Sequence, residues 1–277
     1  MQAIRELRER THLGMSECKS ALDEAQGDVE KAVEILQKRG SLKKADPLLV
    51  PREGIVRAAV YDGIGRIAEL NCQTDFAAKS ELFTSCMDKM LRSDLDRKDL
   101  MDSYFTKRED GQLLCKQLGE KVVLKRYEVL HTGLYSGVTQ SIARCYTHHS
   151  GKIAVLVTAD VEVEHVNNPK IANFVDDVAM QIAANKPLGL DRNAIAVTQA
   201  AEKQAELFKD QVKDKPAPMQ EKIVKGKLDK WMQEVVLLEQ ESILQAKTTV
   251  AKMMEAVQKE VGSKFELANF IRYELGE

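Results

Sequence analysis

An α+β fold is predicted for this 277-residue chain by three observations. Short runs alternate polar and apolar residues as half-buried strands do, one such run recurs further along, and apolar residues at helical spacing flank both copies. The first unit, residues 1–40, reads as three helices. Ile4 and Leu7 share a face of the first, and Thr11-His12-Leu13-Gly14 breaks it. Met15, Cys18, Leu22 and Ala25 mark the second, Gly27 stops it, and Asp28 caps the third, which carries Val29, Ala32, Val33 and Leu36 before Gly40. A unit this small is marginal alone and suits docking better than catalysis.

Residues 41–53 hold Lys43, Lys44, Pro47 and Pro51 and read as a linker, because the prolines forbid a continuous helix. Next comes the repeat: Gly65-Arg66-Ile67-Ala68-Glu69-Leu70 returns as Gly151-Lys152-Ile153-Ala154-Val155-Leu156. Each copy follows another strand-like run, Gly54–Val60 or Ser141–Tyr146, and each precedes a helix, at about 76–91 and about 169–185. Two related sheet-plus-helix subdomains are the economical reading. The first spans 54–133, with Gly119–Arg126 as its third strand. The second spans 134–190 and 232–277 and closes on a strand at Phe265–Glu274. Between its halves, 191–231 changes to long helix. Ala201, Ala205, Phe208 and Val212 form one stripe, Lys215-Pro216-Ala217-Pro218 interrupts it, and Ile223, Leu228, Trp231, Val235 and Leu238 resume it. That pattern describes an inserted antiparallel helical hairpin that projects from the body.

Lys and Arg total 41 against 43 Asp and Glu, a net charge of −2, which argues against direct nucleic-acid binding through phosphate neutralisation. No run approaches the roughly 18 apolar residues of a membrane span. The first residues lack the apolar core of a signal peptide. Five widely spaced cysteines (Cys18, Cys72, Cys86, Cys115, Cys145) without a Cys-x-x-Cys pair read as small apolar residues in a reducing compartment, so a cytoplasmic protein is expected.

The most informative stretch is Asn71-Cys72-Gln73-Thr74-Asp75-Phe76-Ala77-Ala78-Lys79, where a strand runs straight into a helix. Thr74 and Asp75 supply oxygens able to accept the free N–H groups of the new helix. Phe76 then puts a large ring in the first turn. Helical spacing alone assigns it, with Phe83, Met87 and Met90, to a buried stripe. Turned outward from a rigid turn, the same ring is a wedge for another protein.

The phosphate-cradling glycine loops, the nucleophile elbow and the His-Glu-x-x-His pair are all missing, so neither a nucleotide or other cofactor nor an enzymatic reaction is expected. Cys145-x-x-His148-His149 is the nearest approach to a metal site. It lacks the further ligands that a four-coordinate zinc needs, and it reads as structural.

Several ordered blocks together resemble the bacterial elongation factor Ts family, the nucleotide-exchange factors of elongation factor Tu. These are Leu7-Arg8-Glu9-Arg10-Thr11 with Gly14-Met15 and Cys18-Lys19-Ser20-Ala21-Leu22, then Asn71–Ala78, Val178-Ala179-Met180-Gln181-Ile182-Ala183-Ala184-Asn185-Lys186-Pro187 and Leu237-Leu238-Glu239-Gln240. The resemblance implies a ubiquitin-associated-like N-terminal bundle, two sheet-plus-helix subdomains and a projecting coiled-coil hairpin. It implies an exchange factor without covalent chemistry that binds the GTPase domain and third domain of elongation factor Tu and promotes GDP release. Thr74, Asp75 and Phe76 would lie at the GTPase domain, with the ring in a hydrophobic pocket beside the nucleotide. Arg8, Met15 and Lys19 match docking positions of the N-terminal module, and His148 matches a position facing the third domain. On spacing alone Met15 is read equally as core and as an exposed contact. A scaffold or chaperone-like binder that does not accelerate exchange is the alternative, and the hairpin is a candidate surface for self-association. The chain departs from the family pattern at His12, His149, Gln181 and Glu241-Ser242, and it ends at Glu277 where longer members continue.

Overall fold

The computed structural model describes residues 2–11, 14–38, 51–93, 101, 104–105, 108–132 and 139–277. His12, Gly40 and most of the expected linker lie outside them. Two compact units partition the chain: residues 1–56, 68–128 and 275–277 in one, and 57–67 and 129–274 in the other. Helices and two three-stranded sheets make the architecture α+β.

Three helices open the first unit: α1 (Gln2–Thr11), α2 (Met15–Glu24) and α3 (Val29–Lys38). Leu7, Cys18, Ala21, Leu22, Ala25, Ala32 and Leu36 form their shared core. After α2, Gly27 takes φ 84° and its N–H reaches Leu22 O at 2.8 Å, closing the helix end as a left-handed residue can. Asp28 Oδ1 then accepts from Glu30 N and Lys31 N, capping α3.

The first sheet has the order β1-β2-β3, with β1 at Glu53–Tyr61, β2 at Ile64–Cys72 and β3 at Val123–His131. Asp62 (φ 51°) and Gly63 (φ 75°) join β1 to β2, both in the left-handed region that a two-residue hairpin requires. The single helix expected at about 76–91 is two: α4 (Asp75–Ala78) and α5 (Glu81–Arg92). Ser80 causes the break, because its hydroxyl accepts from Phe83 N at 3.3 Å and starts a new helix. The third strand begins later than expected, at Val123. Gly119 (φ 67°) terminates α6 (Glu109–Leu118), and Glu120 is diverted to the turn before α4. Glu69, fully buried on β2, is held by Arg126 Nε at 2.7 Å, Lys125 Nζ at 3.3 Å and Gly276 N at 3.2 Å. A carboxylate removed from water needs such partners.

The second sheet has the order β4-β5-β6, all antiparallel: Thr139–Thr147, Ile153–Glu162 and Phe265–Glu274. As the central strand, β5 is buried from Ala154 to Thr158 almost without break, which explains its continuous apolar sequence. Helix α7 (Pro169–Asn185) lays Ile171, Phe174, Val175, Val178 and Ile182 into the same core. Asn168 caps it by accepting from Lys170 N at 3.0 Å, with Pro169 in the first turn.

The hairpin consists of α8 (Ile195–Asp210) and α9 (Ala217–Val235). Val197 and Ala201 near the start of α8 pack with Met232 and Val236 at the end of α9, so the two run antiparallel. Leu228, Trp231 and Val235 of the expected stripe pack against this cluster, and Val224 and Met232 beside them are the most buried residues of α9. The last helix, α10 (Val250–Val261), adds Val250 and Met253 to the core of the second unit.

Candidate protein-docking site

Strand β2 is buried through Cys72, and the chain then leaves the sheet in two residues. Gln73 N and Thr74 N both donate to Glu120 Oε2, at 3.0 and 2.9 Å, and the Thr74 hydroxyl donates to Glu120 Oε1. In return Lys121 N donates to Gln73 Oε1 at 3.3 Å. Thr74, extended at φ −126° and ψ 154°, accepts from Ala77 N at 3.3 Å and caps α4. Ala77 and Ala78 face inward, and Ser80 donates its hydroxyl to Ala77 O at 2.7 Å while starting α5. The single turn of α4 is therefore tied at both ends.

On that turn Phe76 is 84% exposed, whereas Phe83, seven residues on, is completely buried. The stripe suggested by periodicity holds for Phe83, Met87 and Met90 and fails for Phe76, because the Ser80 cap resets the helical phase between them. Asp75, beside the ring, pairs with Lys79 Nζ at 2.7 Å. That ammonium hydrogen bond holds the Asp75 carboxyl below its usual range, and the carboxylate in turn raises Lys79. The result is an apolar ring beside an exposed ion pair.

Arg8 is exposed on α1. Met15, 58% exposed, and Lys19 stand one turn apart on α2, both exposed and bordering the stripe of buried Cys18 and Leu22. Gly14 starts α2 without a side-chain cap, and Met15 is the first residue of the helix. His148 lies partly exposed in the β4–β5 turn, its Nδ1 2.9 Å from Ser150 Oγ and its ring 4.1 Å from that of His149. Cys145 is half-buried on β4, and burial pushes its thiol up, away from the thiolate a metal would need. Among the described residues no group of three or more His, Cys, Asp or Glu is arranged to hold a metal ion. Sequence reading missed Glu120, whose only signal was its place directly after the helix-ending Gly119.

A mixed helix-and-sheet chain whose residues 73–277 match the family model described as elongation factor TS is of the elongation-factor class. Its relatives include the elongation factor Ts of Chloroherpeton thalassium, 34% identical over 295 residues and covering all of this chain and 98% of that protein. Those of Clostridium kluyveri and Clostridium perfringens are each 35% identical, covering all of this chain and 92% of theirs. The chain belongs to the elongation factor Ts family. No helix among the described residues is long and apolar enough to cross a membrane.

Proposed function

We propose that this chain is the nucleotide-exchange factor of elongation factor Tu in protein biosynthesis and that it releases GDP by inserting Phe76 beside the nucleotide site. The observation that carries the proposal is the outward phenyl ring on a turn braced at both ends. Burying that ring in a partner's pocket supplies about 1.5–3 kcal/mol. If the nucleotide-free conformation of the partner accepts the ring better, the exchange factor and GDP weaken each other's binding by the same factor. No covalent step is needed. The chain's own residues present the ring, fix its angle and flank it with charge.

The finer assignments belong to the same reading. Residues 1–40 act as a ubiquitin-associated-like docking module through Arg8, Met15 and Lys19, joined by the linker 41–53. Thr74, Asp75 and Phe76 of the subdomain 54–133 meet the GTPase domain. His148 of the subdomain 134–190 and 232–277 meets the third domain, and the coiled-coil hairpin 191–231 offers a surface for self-association. The site of action is the cytoplasm, without direct contact to nucleic acid.

The test is release of a fluorescent GDP analogue from elongation factor Tu. Sub-stoichiometric acceleration that Phe76→Ala abolishes is the expected result. Tight binding without acceleration supports a scaffold instead, and full acceleration by Phe76→Ala removes the wedge.

A further inference from the structure

We propose that Glu120 is a positioning residue for nucleotide exchange, acting through the turn that carries Phe76. The proposal rests on the Phe76 reading above and adds the device that aims the ring. Glu120 lies 46 residues beyond Thr74 in sequence, yet its carboxylate receives three donors from one dipeptide: Gln73 N, Thr74 N and the Thr74 hydroxyl. Bonds to an ionised acceptor are the stronger kind, and here both oxygens are used. Gly119, in the left-handed conformation at the end of α6, turns the chain so that Glu120 meets the end of β2.

The arrangement also sets the polarity of the cap. A threonine hydroxyl has one proton to give. Committing it to Glu120 leaves the oxygen's lone pairs for Ala77 N, the N–H one residue past Phe76. Glu120 therefore fixes the entry of the chain into α4 and the acceptor that starts the helix. Both determine where the Phe76 Cα–Cβ bond points. Glutamine at this position keeps the volume but offers one acceptor oxygen and an N–H₂ group that faces backbone donors. The ring stays exposed and loses its fixed aim.

The experiment compares wild-type protein with Glu120→Gln, Phe76→Ala and the double variant in the fluorescent GDP-release assay with elongation factor Tu. Glu120→Gln is expected to reduce the acceleration roughly ten- to a hundredfold, the scale of misplacing a group by about an ångström. In the Phe76→Ala background it is expected to add nothing. Amide hydrogen exchange on the free protein supplies a readout without the partner: Gln73, Thr74 and Ala77 exchange faster in Glu120→Gln, while Leu124 and Tyr127 keep their protection. If Glu120→Gln does not fold, Glu120→Asp carries the test. It keeps the carboxylate on a shorter side chain, and partial acceleration with partial amide protection at Gln73 and Thr74 is expected, whereas full acceleration with that protection lost overturns the role.

Normal acceleration by Glu120→Gln beside a defective Phe76→Ala overturns the Glu120 role and leaves the wedge standing. Losses that multiply in the double variant overturn it as well, since Glu120 then acts elsewhere. Normal acceleration by Phe76→Ala removes the wedge and the positioning role with it.

Discussion

Gln181 and Gln240 meet amide to amide inside the second unit, Nε2 of Gln181 donating to Oε1 of Gln240 at 3.0 Å. Gln181 also donates to Glu241 O at 3.1 Å and accepts from Ile243 N at 2.9 Å. Gln240 Nε2 donates to Glu234 O and Asn185 O. One pair of amides thus fastens the end of α9 and the segment after it to α7. Replacing Gln181 by Leu leaves Ile243 N–H and Gln240 Oε1 without this partner, at about 1–3 kcal/mol for each buried group stranded. Equilibrium urea unfolding followed by tyrosine and tryptophan fluorescence checks this as a lower midpoint.

Phe76 and Phe83 offer a clean contrast between an exposed ring and a core ring. Phe83→Ala empties a fully buried site and is expected to destabilise by about 3–5 kcal/mol. Phe76→Ala removes a ring already in water and is expected to stay within about 0.5 kcal/mol of wild type. Calorimetric melting of both variants decides it. A large loss from Phe76→Ala shows the ring to be part of the core.

Arg192 forks onto Glu239, Nε to Oε1 at 2.6 Å and Nη2 to Oε2 at 2.8 Å, while Nη1 reaches Asp229 at 3.0 Å. It ties the start of the hairpin to α9 and to the segment that follows. All three side chains are partly solvated, so Arg192→Ala is expected to cost only about 0.5–1 kcal/mol. Arg192→Lys recovers little of it, since an ammonium lacks the planar fork. A loss that disappears in molar salt identifies the effect as electrostatic.

Lys186 and Arg272 hold the Glu274 carboxyl down at about 2, from 4.5. A folded-state value below the unfolded one means that this stabilisation is complete above about pH 4.5 and is lost as the pH falls toward 2. Glu274→Gln therefore differs most from wild type in stability at neutral pH, and the two converge in acid. Thermal midpoints measured for both from pH 7 to pH 2.5 check the sign. A gap that widens in acid contradicts it.

Local rules carried the sequence reading far where each element obeys its own residues. Gly27 closes α2, Asp28 caps α3, and the repeat Gly151–Leu156 runs into strand β5. Reading failed once at a local cap that it overlooked and once where a partner distant in sequence decides. Phe76 escapes its stripe because Ser80 restarts the helix, and β3 starts late because Glu120 is claimed by Gln73 and Thr74. A hydrogen bond across 46 residues leaves no periodic trace.

A phenyl ring standing in water is a hazard to the solubility of any concentrated protein. Here the hazard is contained by its neighbours. Ala77 and Ala78 turn inward, so the ring is an island rather than part of a patch, and the Asp75–Lys79 pair stands at its edge. Two copies that tried to bury their rings against each other would have to strip water from both ion pairs without gaining new partners for them. The same flanking charges act as gatekeepers. They disfavour ring-to-ring association while leaving the ring accessible.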